Sequence, residues 1–301
     1  MTTSPHLSEL DALFNRKFPF MGKAIGDMSS LFGSRWQASF EQFLSKVMQS
    51  PDEKEKAVNG YVRFALDIMR LQKQFEKTGA YPEKSFDQAR ADVYDNAEYM
   101  QTAYLPGLLL SHFLWPHHYR QQLFFETAFL NIMRRQGAQR FLDCGTGTGY
   151  NACRILDTLP ETTGRAFDIS PHSKAHAEQQ AEALGVGSRL TVDLQNLITD
   201  PPDETTDWLI SIEVLEHLEE PVAFLKALRG LLNKEGKAFI TAAINAAEAD
   251  HITLYRSTDG VAEQILEAGF AIEQSHTAWA YAPEFDGQPI PQVAAFVVTS
   301  R

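Results

Sequence analysis

The sequence predicts an α/β protein, a mostly parallel seven-stranded sheet with helices on both faces, preceded by an all-helical N-terminal cap. Three observations predict it. From Arg140 onward, short apolar runs alternate with helical stretches, the rhythm of strands joined by crossover helices. Before about Pro116 no convincing strand alternation occurs, and apolar residues recur at helical spacing. Between these textures the first strand ends in three glycines, Gly145, Gly147 and Gly149, that lead directly into a helix. With 44% hydrophobic residues in 301, the chain can bury a sizeable core. No repeat or loose linker is visible, so the helical front is expected to pack over the sheet.

Within the cap, one helical face carries Trp36, Phe40, Phe43 and Leu44, and a second carries Val62, Ala65, Leu66 and Met69. Ser50-Pro51-Asp52 reads as a helix start, with Ser50 as cap and Pro51 in the first turn, and Gly79 to Pro82 reads as a stop. The most apolar stretch, YLPGLLLSHFLW, is too short to span a membrane and is broken by Pro106, Gly107 and His112. After Trp115-Pro116, an amphipathic helix carries Tyr119, Leu123, Phe124, Ala128 and Ile132 toward Gly137. Then follow RFLDC and helix NACRILDTL, GRAFDI and helix SKAHAEQQAEAL, RLTVDL, DWLISI, helix PVAFLKALRGLL, GKAFITAA, helix GVAEQILEAG, FAIEQSHT and VAAFVVTS. Seven of these runs read as strands. The expected organisation is a cap over residues 1–117 and a sheet domain over 118–301.

Lysine and arginine number 27 against 39 aspartates and glutamates, a net charge of −12 that argues against a nucleic-acid backbone binder. Cys144 and Cys153 form no C-x-x-C or zinc-ribbon spacing, which argues against a disulfide scaffold or structural zinc site and fits a reducing cytoplasm. The start, MTTSPHLSEL, lacks the basic and apolar regions of a secretion signal, and neither membrane spanning nor secretion is expected. Oligomeric state stays open, a dimer included.

The turn Asp143-Cys144-Gly145-Thr146-Gly147-Thr148-Gly149-Tyr150 needs glycine because the backbone must bend sharply and approach a ligand closely. A dinucleotide fingerprint has G-x-G-x-x-G, but here Tyr150 stands where the third glycine belongs. Asp143 would repel phosphates and attract a cation. Both features favour an adenosine cofactor without a pyrophosphate, S-adenosylmethionine, over NAD. From Tyr119 to Arg301 the sequence resembles the class I S-adenosylmethionine-dependent methyltransferases, whose sheet is Rossmann-like, through LDCGTGTGY, AFDIS and EVLEHLEEP. The resemblance implies that Asp143, Gly145, Thr146, Gly147 and Gly149 surround the methionine part of the cofactor. By the same resemblance Asp168 would accept from the ribose hydroxyls, Gln195 or Asn196 would touch the adenine, Leu197 would pack on its ring, and Glu213 would border the cofactor. Asp168 could instead cap the helix that begins near Ser170-Pro171.

Methyl transfer is an in-line displacement at a carbon activated by a sulfonium, so the protein must align the acceptor, exclude water and, where needed, remove a proton. Ligands of open parallel sheets collect beyond the carboxyl ends of the strands, which places Glu213, Glu216 and His217 near the pocket. His251, in the loop after ITAA, is expected to join them. His217 or His251 would act as general base, with Glu213 beside them. Alternatively, Glu213, Glu216, His217 and His251 would hold Mg or Mn and acidify an acceptor hydroxyl. That set resembles the metal site of small-RNA 3′-terminal 2′-O-methyltransferases and certain quinol O-methyltransferases, although E-V-L-E-H also occurs in metal-free members. The plain alternative for Glu216 is a solvated carboxylate at a helix start.

Acceptor specificity is assigned to the cap and the loop near His251. Tyr94, Asp95, Tyr99 and then Tyr104 combine acids and tyrosines suited to a cationic acceptor. Trp115, His117 and His118 would line the same cleft. In ADHITLYRS, beside Asp250, a short helix would set His251 and Tyr255 on one face, and Arg256 would meet an acceptor carboxylate. The expected function is methyl transfer to a small molecule, an amino-acid-like amine, a thioether or a hydroxyl compound. The alternatives are a metal-dependent RNA 2′-O-methyltransferase, which the acidic composition disfavours, and a non-catalytic adenosylmethionine-binding partner protein.

Overall fold

The computed structural model describes residues 4–285 and 287–301. The first three residues of MTTSPHLSEL lie outside the described residues.

Among the described residues the front forms helices and no strand, as its spacing requires: α1 (Pro5–Lys17), α2 (Ala24–Val47) and α3 (Pro51–Thr78) are followed by a broken stretch. That stretch consists of α4 (Phe86–Ala89), a π turn (Arg90–Tyr94), α5 (Ala97–Tyr99) and a second π turn (Met100–Tyr104). It continues into α6 (Leu105–Leu114), α7 (Pro116–Phe124), a π stretch (Phe125–Leu130) and α8 (Asn131–Arg135). Ser50 caps α3 reciprocally with Glu53, and Gly79 ends it in a left-handed conformation (φ 69°). Trp36, Phe40, Phe43 and Leu44 all face inward. Phe40 stacks on Phe113 at 4.4 Å, and the Trp36 indole donates to the Phe113 carbonyl at 2.8 Å.

The second expected face needs correction. Val62 and Ala65 are buried, but Leu66 and Met69 are 45% and 52% exposed. Helix α3 crosses α6 so closely that a Cβ on Gly107 would lie 2.4 Å from Phe64. The buried stripe therefore follows Tyr61, Phe64 and Ala65, and Leu66 and Met69 fall past its edge.

The seven expected strands form one sheet: β1 (Arg140–Cys144), β2 (Thr163–Asp168), β3 (Leu190–Leu194), β4 (Thr206–Ser211), β5 (Leu232–Ile244), β6 (Phe270–Trp279) and β7 (Gln292–Ser300). Their order is β3-β2-β1-β4-β5-β7-β6, with β7 antiparallel to both its neighbours and the other pairs parallel. Crossovers are made by α9 (Tyr150–Thr158), α10 (Pro171–Ala183), α11 (Pro221–Leu231) and α12 (Thr258–Glu267). Alternation along the strands splits the core: Leu142 and Cys144 join one cluster with Leu225 and Val261, whereas Phe141 joins another with Cys153 and Phe129. Both cysteines are free and buried. The apolar core of the front continues into Tyr119 of α7 and Tyr150 of α9, which binds the cap to the sheet. Among the described residues, no helix is long and apolar enough to cross a membrane.

Strand order reverses at β1 and β4, which leaves a crevice beyond their carboxyl ends.

Candidate functional site

A cavity of about 510 Å³ occupies that crevice, a size typical of small-molecule sites. Its floor is the glycine turn, with positive φ at Gly145 (87°), Gly147 (54°) and Gly149 (75°). A Cβ on Gly145 would come within 2.5 Å of Val214, and one on Gly149 within 2.7 Å of Ala177, so side chains are excluded by conformation and by space. Asp143 lies buried beneath, accepting from the Thr146 hydroxyl at 2.7 Å, and burial pushes its carboxyl up to about 7.

Asp168 closes one side. One oxygen accepts from the Gly147 amide at 2.8 Å, the other from the Ser170 amide at 2.9 Å, while Ser170 itself caps α10. Burial raises its pKa, and the backbone donors oppose that rise. Gln195, Asn196 and Leu197 line the same wall. The Gln195 amide group donates to the Asp200 carbonyl, and the Asn196 side-chain oxygen accepts from the Ile198 and Thr199 amides.

On the opposite side stand Glu213, Glu216, His217 and His251. Glu213 adopts a strained left-handed conformation (φ 55°), and its carboxylate accepts from the Thr241 hydroxyl at 2.6 Å. Burial first, and Glu216 second, push its pKa upward. Glu216 is 1% exposed, and neither carboxylate oxygen has a partner. It sits in a single 3₁₀ turn, Leu215–His217, whose Glu216 carbonyl accepts from the Ile252 and Thr253 amides and so draws the β5–α12 loop into the site. The expectation of a solvated carboxylate is thereby corrected.

His217 Nδ1 lies 3.3 Å from both the Asp250 carbonyl and an Asp250 carboxylate oxygen, so Nδ1 carries a proton. Burial alone would lower its pKa, but Asp250 and then Glu216 overcome this and raise it to about 10. His251 donates through Nδ1 to the Ala246 carbonyl at 2.7 Å, and burial lowers its pKa to about 3, which keeps the ring neutral. The two rings meet edge to face at 4.8 Å.

The expected metal set is altered. Glu216, His217 and His251 present ligand atoms within 4.8 Å of one another, as do Glu248, Asp250 and His251, but Glu213 belongs to neither group because its carboxylate is turned to Thr241. Burial raises the Glu248 pKa to about 8. In contrast, although burial would raise the Asp250 pKa, His217 holds it below the usual range.

The predicted acceptor residues separate into two groups. Tyr94 and His118 reach the cavity. Asp95 is exposed and pairs with Arg90, and Tyr99 packs against Tyr104 with Arg63 over its ring. Trp115 is turned into the cap core, where it donates to the Tyr61 hydroxyl and stacks on Phe64. Residues 251–255 form no helix; Tyr255 bridges to Ile244, is buried in the sheet core and donates to Gln264. Arg256 lies outside the cavity and donates to the Gly79 carbonyl. His117 is buried with its Nδ1 unpartnered and does not line the cavity.

Sequence reasoning gives no role to Glu248, Asp250, His112 or Gln121. Three of these line the cavity, as does Tyr104, and Asp250 lies behind it, gripped by Tyr94 and Tyr104. The spacing Glu248-x-Asp250-His251 after β5 was the available signal. Among the described residues the lining includes Asp168, Glu213, Glu216, Glu219, Glu220 and Glu248 and no lysine or arginine. The cavity therefore suits a cationic ligand and opposes a pyrophosphate.

Residues 142–238 match a family described as "Methyltransferase domain". A ubiquinone biosynthesis O-methyltransferase from Cereibacter sphaeroides is 32% identical over 109 residues, 35% of this chain and 41% of that protein. An uncharacterized Synechococcus protein is 31% identical over 183 residues, 58% of this chain and 42% of that protein. The chain spans less than half the length of the curated relatives it matches. In solved structures, the fold is shared with an O-methyltransferase from neocarzinostatin biosynthesis (TM-score 0.56, 18% identity, 84% of this chain and 74% of that one). It is also shared with the mitomycin 7-O-methyltransferase (TM-score 0.53, 13% identity, 88% and 72%).

Proposed function

We propose, from the class I methyltransferase fold and the methyltransferase domain that this chain carries, that it transfers a methyl group from S-adenosylmethionine to a hydroxyl of a small molecule. One observation carries the reading: a single acidic cavity brings the glycine turn, Asp168 and Gln195–Leu197 to one wall and two imidazoles to the other. The O-methyltransferases of like fold support a hydroxyl acceptor, one of them described in complex with S-adenosylmethionine and a hydroxynaphthoic acid.

The glycine turn and Asp143 would receive the methionine part, Asp168 the ribose, and Asn196 with Leu197 the adenine. The cofactor supplies an electrophilic methyl carbon on a sulfonium, and an acidic lining free of lysine and arginine fits that charge. His251 would take the acceptor's proton: its Nδ1–H is committed to Ala246, which leaves the Nε2 lone pair available. His217 would stay protonated beside Asp250 and donate to the acceptor oxygen, holding it in line. Two imidazoles displaced in opposite directions are the arrangement expected of an acid and a base. The cap would exclude water and select the acceptor.

Titration calorimetry with S-adenosylhomocysteine and with NAD tests the cofactor. Binding of the first alone is expected, with a loss of at least tenfold in affinity for Asp168→Ala; binding of NAD, or none of the homocysteine compound, would overturn the reading.

A second reading is favoured by the two orphaned oxygens of Glu216. Glu216, His217 and His251 would hold a divalent cation, which would acidify the acceptor hydroxyl as a Lewis acid. Turnover lost to a chelator and restored by Mg²⁺ or Mn²⁺ would establish it, whereas turnover unaffected by chelation would leave the imidazole pair alone.

A further inference from the structure

The broken stretch from Phe86 to Tyr104 roofs the cavity, which Phe86, Tyr94 and Tyr104 line. Each of its short helices runs into a π turn, and each π turn ends on a tyrosine, Tyr94 in the first and Tyr104 in the second. Such turns insert a residue and rotate the side chains that follow, and they recur at functional positions. Here both hydroxyls reach the same atom, one carboxylate oxygen of Asp250, at 2.8 Å each, across 156 and 146 residues of sequence. That oxygen is also the one 3.3 Å from His217 Nδ1. Asp250 is fully buried, and its other oxygen has no partner.

We propose that Tyr94 and Tyr104 are positioning residues for methyl transfer: by fixing Asp250 they hold the His217 ring, so the imidazole is set only while the roof is seated. The proposal rests on the methyltransferase reading of the cavity. A carboxylate is an acceptor only, and the oxygen that takes both hydroxyls also stands 3.3 Å from His217 Nδ1, whose proton is directed at the same distance to the Asp250 backbone carbonyl. Nε2 then faces away from Asp250. Removing the hydroxyls would free the carboxylate to turn toward other donors, and the ring would follow. The roof is further tied to the site by the Phe86 amide on Glu219 at 2.8 Å and by the Lys84 ammonium on the Ala249 carbonyl at 3.0 Å. Lifting it would break both bonds to Asp250 together and release the ring as water enters.

The test compares Tyr94→Phe, Tyr104→Phe and the double variant, which remove two oxygens and no ring. The double variant is expected to bind S-adenosylhomocysteine within about threefold of the parent while kcat falls at least tenfold and acceptor KM moves less than threefold. Asp250→Asn should cause a comparable loss, and combining it with the tyrosine changes should add nothing, since all act through one ring. Proton NMR supplies a readout independent of turnover: the deshielded Nδ1 proton of His217, assigned by its absence in His217→Gln, should shift or broaden in the double variant. A kcat within twofold of the parent, additive losses, or an unchanged Nδ1 resonance would overturn the proposal. If the intact protein methylates no acceptor, the methyltransferase reading fails, and the resonance alone decides the positioning claim. Should the double variant not fold, Tyr104→Phe carries the same readouts.

Discussion

Glu216 concentrates the site's chemistry in one side chain: a buried carboxylate with no partner costs several kcal/mol unless it is neutralised. Glu216→Gln is therefore expected to raise the melting temperature of the ligand-free protein, by about 2 °C or more, while turnover falls at least tenfold. Thermal melts and initial rates check the two halves separately. Gly145→Ala should do the reverse to stability, because its φ of 87° and the Val214 methyl, 2.5 Å from where a Cβ would stand, both oppose the new atom. A loss of about 1–3 kcal/mol in chemical denaturation is expected, with cofactor binding abolished. At this scale the sequence disclosed residues whose partners lie nearby in the chain or whose motif is contiguous: the glycine turn, Asp168, and the Glu216-His217 pair. It did not disclose Asp250, nor that Tyr94 and Tyr104 grip it, because those contacts are made across some 150 residues. Tyr255 is misplaced for a related reason: the helical spacing that would pair it with His251 is not adopted, because the chain there bridges to β5.

Elements were more legible than residues. Each strand was marked by an apolar run bounded by turn residues, and α3 by a cap that can be read directly: Ser50, Pro51 and Glu53 supply the acceptor, the fixed φ and the reciprocal acid. Ser50→Ala should cost about 1 kcal/mol in urea denaturation without changing cofactor affinity, since α3 touches the cavity only through its neighbours. The π turns were hidden, because their residues are ordinary helix formers and a one-residue insertion leaves no compositional trace. The outward placement of Leu66 and Met69 was hidden too. Periodicity fixes that a stripe exists, but its edge is set by how closely Gly60 and Gly107 let two helices approach.

For the whole molecule, burial has displaced enough titrating groups that stability should depend on pH in an unusual direction. Asp143 and Glu248, raised to about 7 and 8, keep protons in the folded state that the unfolded chain has released, so stability falls as pH climbs from the ordinary carboxylate range to those values. His217, raised to about 10, acts in the same direction above the ordinary histidine range. His112, His117 and His251, lowered to about 3, oppose this, but only between about pH 3 and 6.5. Melting temperature measured with a chelator present should therefore decline from pH 6.5 to 9; a rise across that interval would refute the assignment of raised carboxyls. The division of labour we propose, a cap over residues 1–117 and a sheet domain over 118–301, does not imply separable parts, for Tyr119 and Tyr150 complete the front's core.

The two thiols, one in each layer of the sheet's core, make the protein its own stopwatch. Neither sulfur is accessible in the folded state, and burial suppresses ionisation of both, so a thiol reagent can react only when a layer opens. Labelling at Cys144 would time the opening of the layer packed by α11 and α12, and labelling at Cys153 that of the layer under α8 and α9. Equal rates would mean that the sheet comes apart as one unit; unequal rates would reveal which of its two sides lets go first.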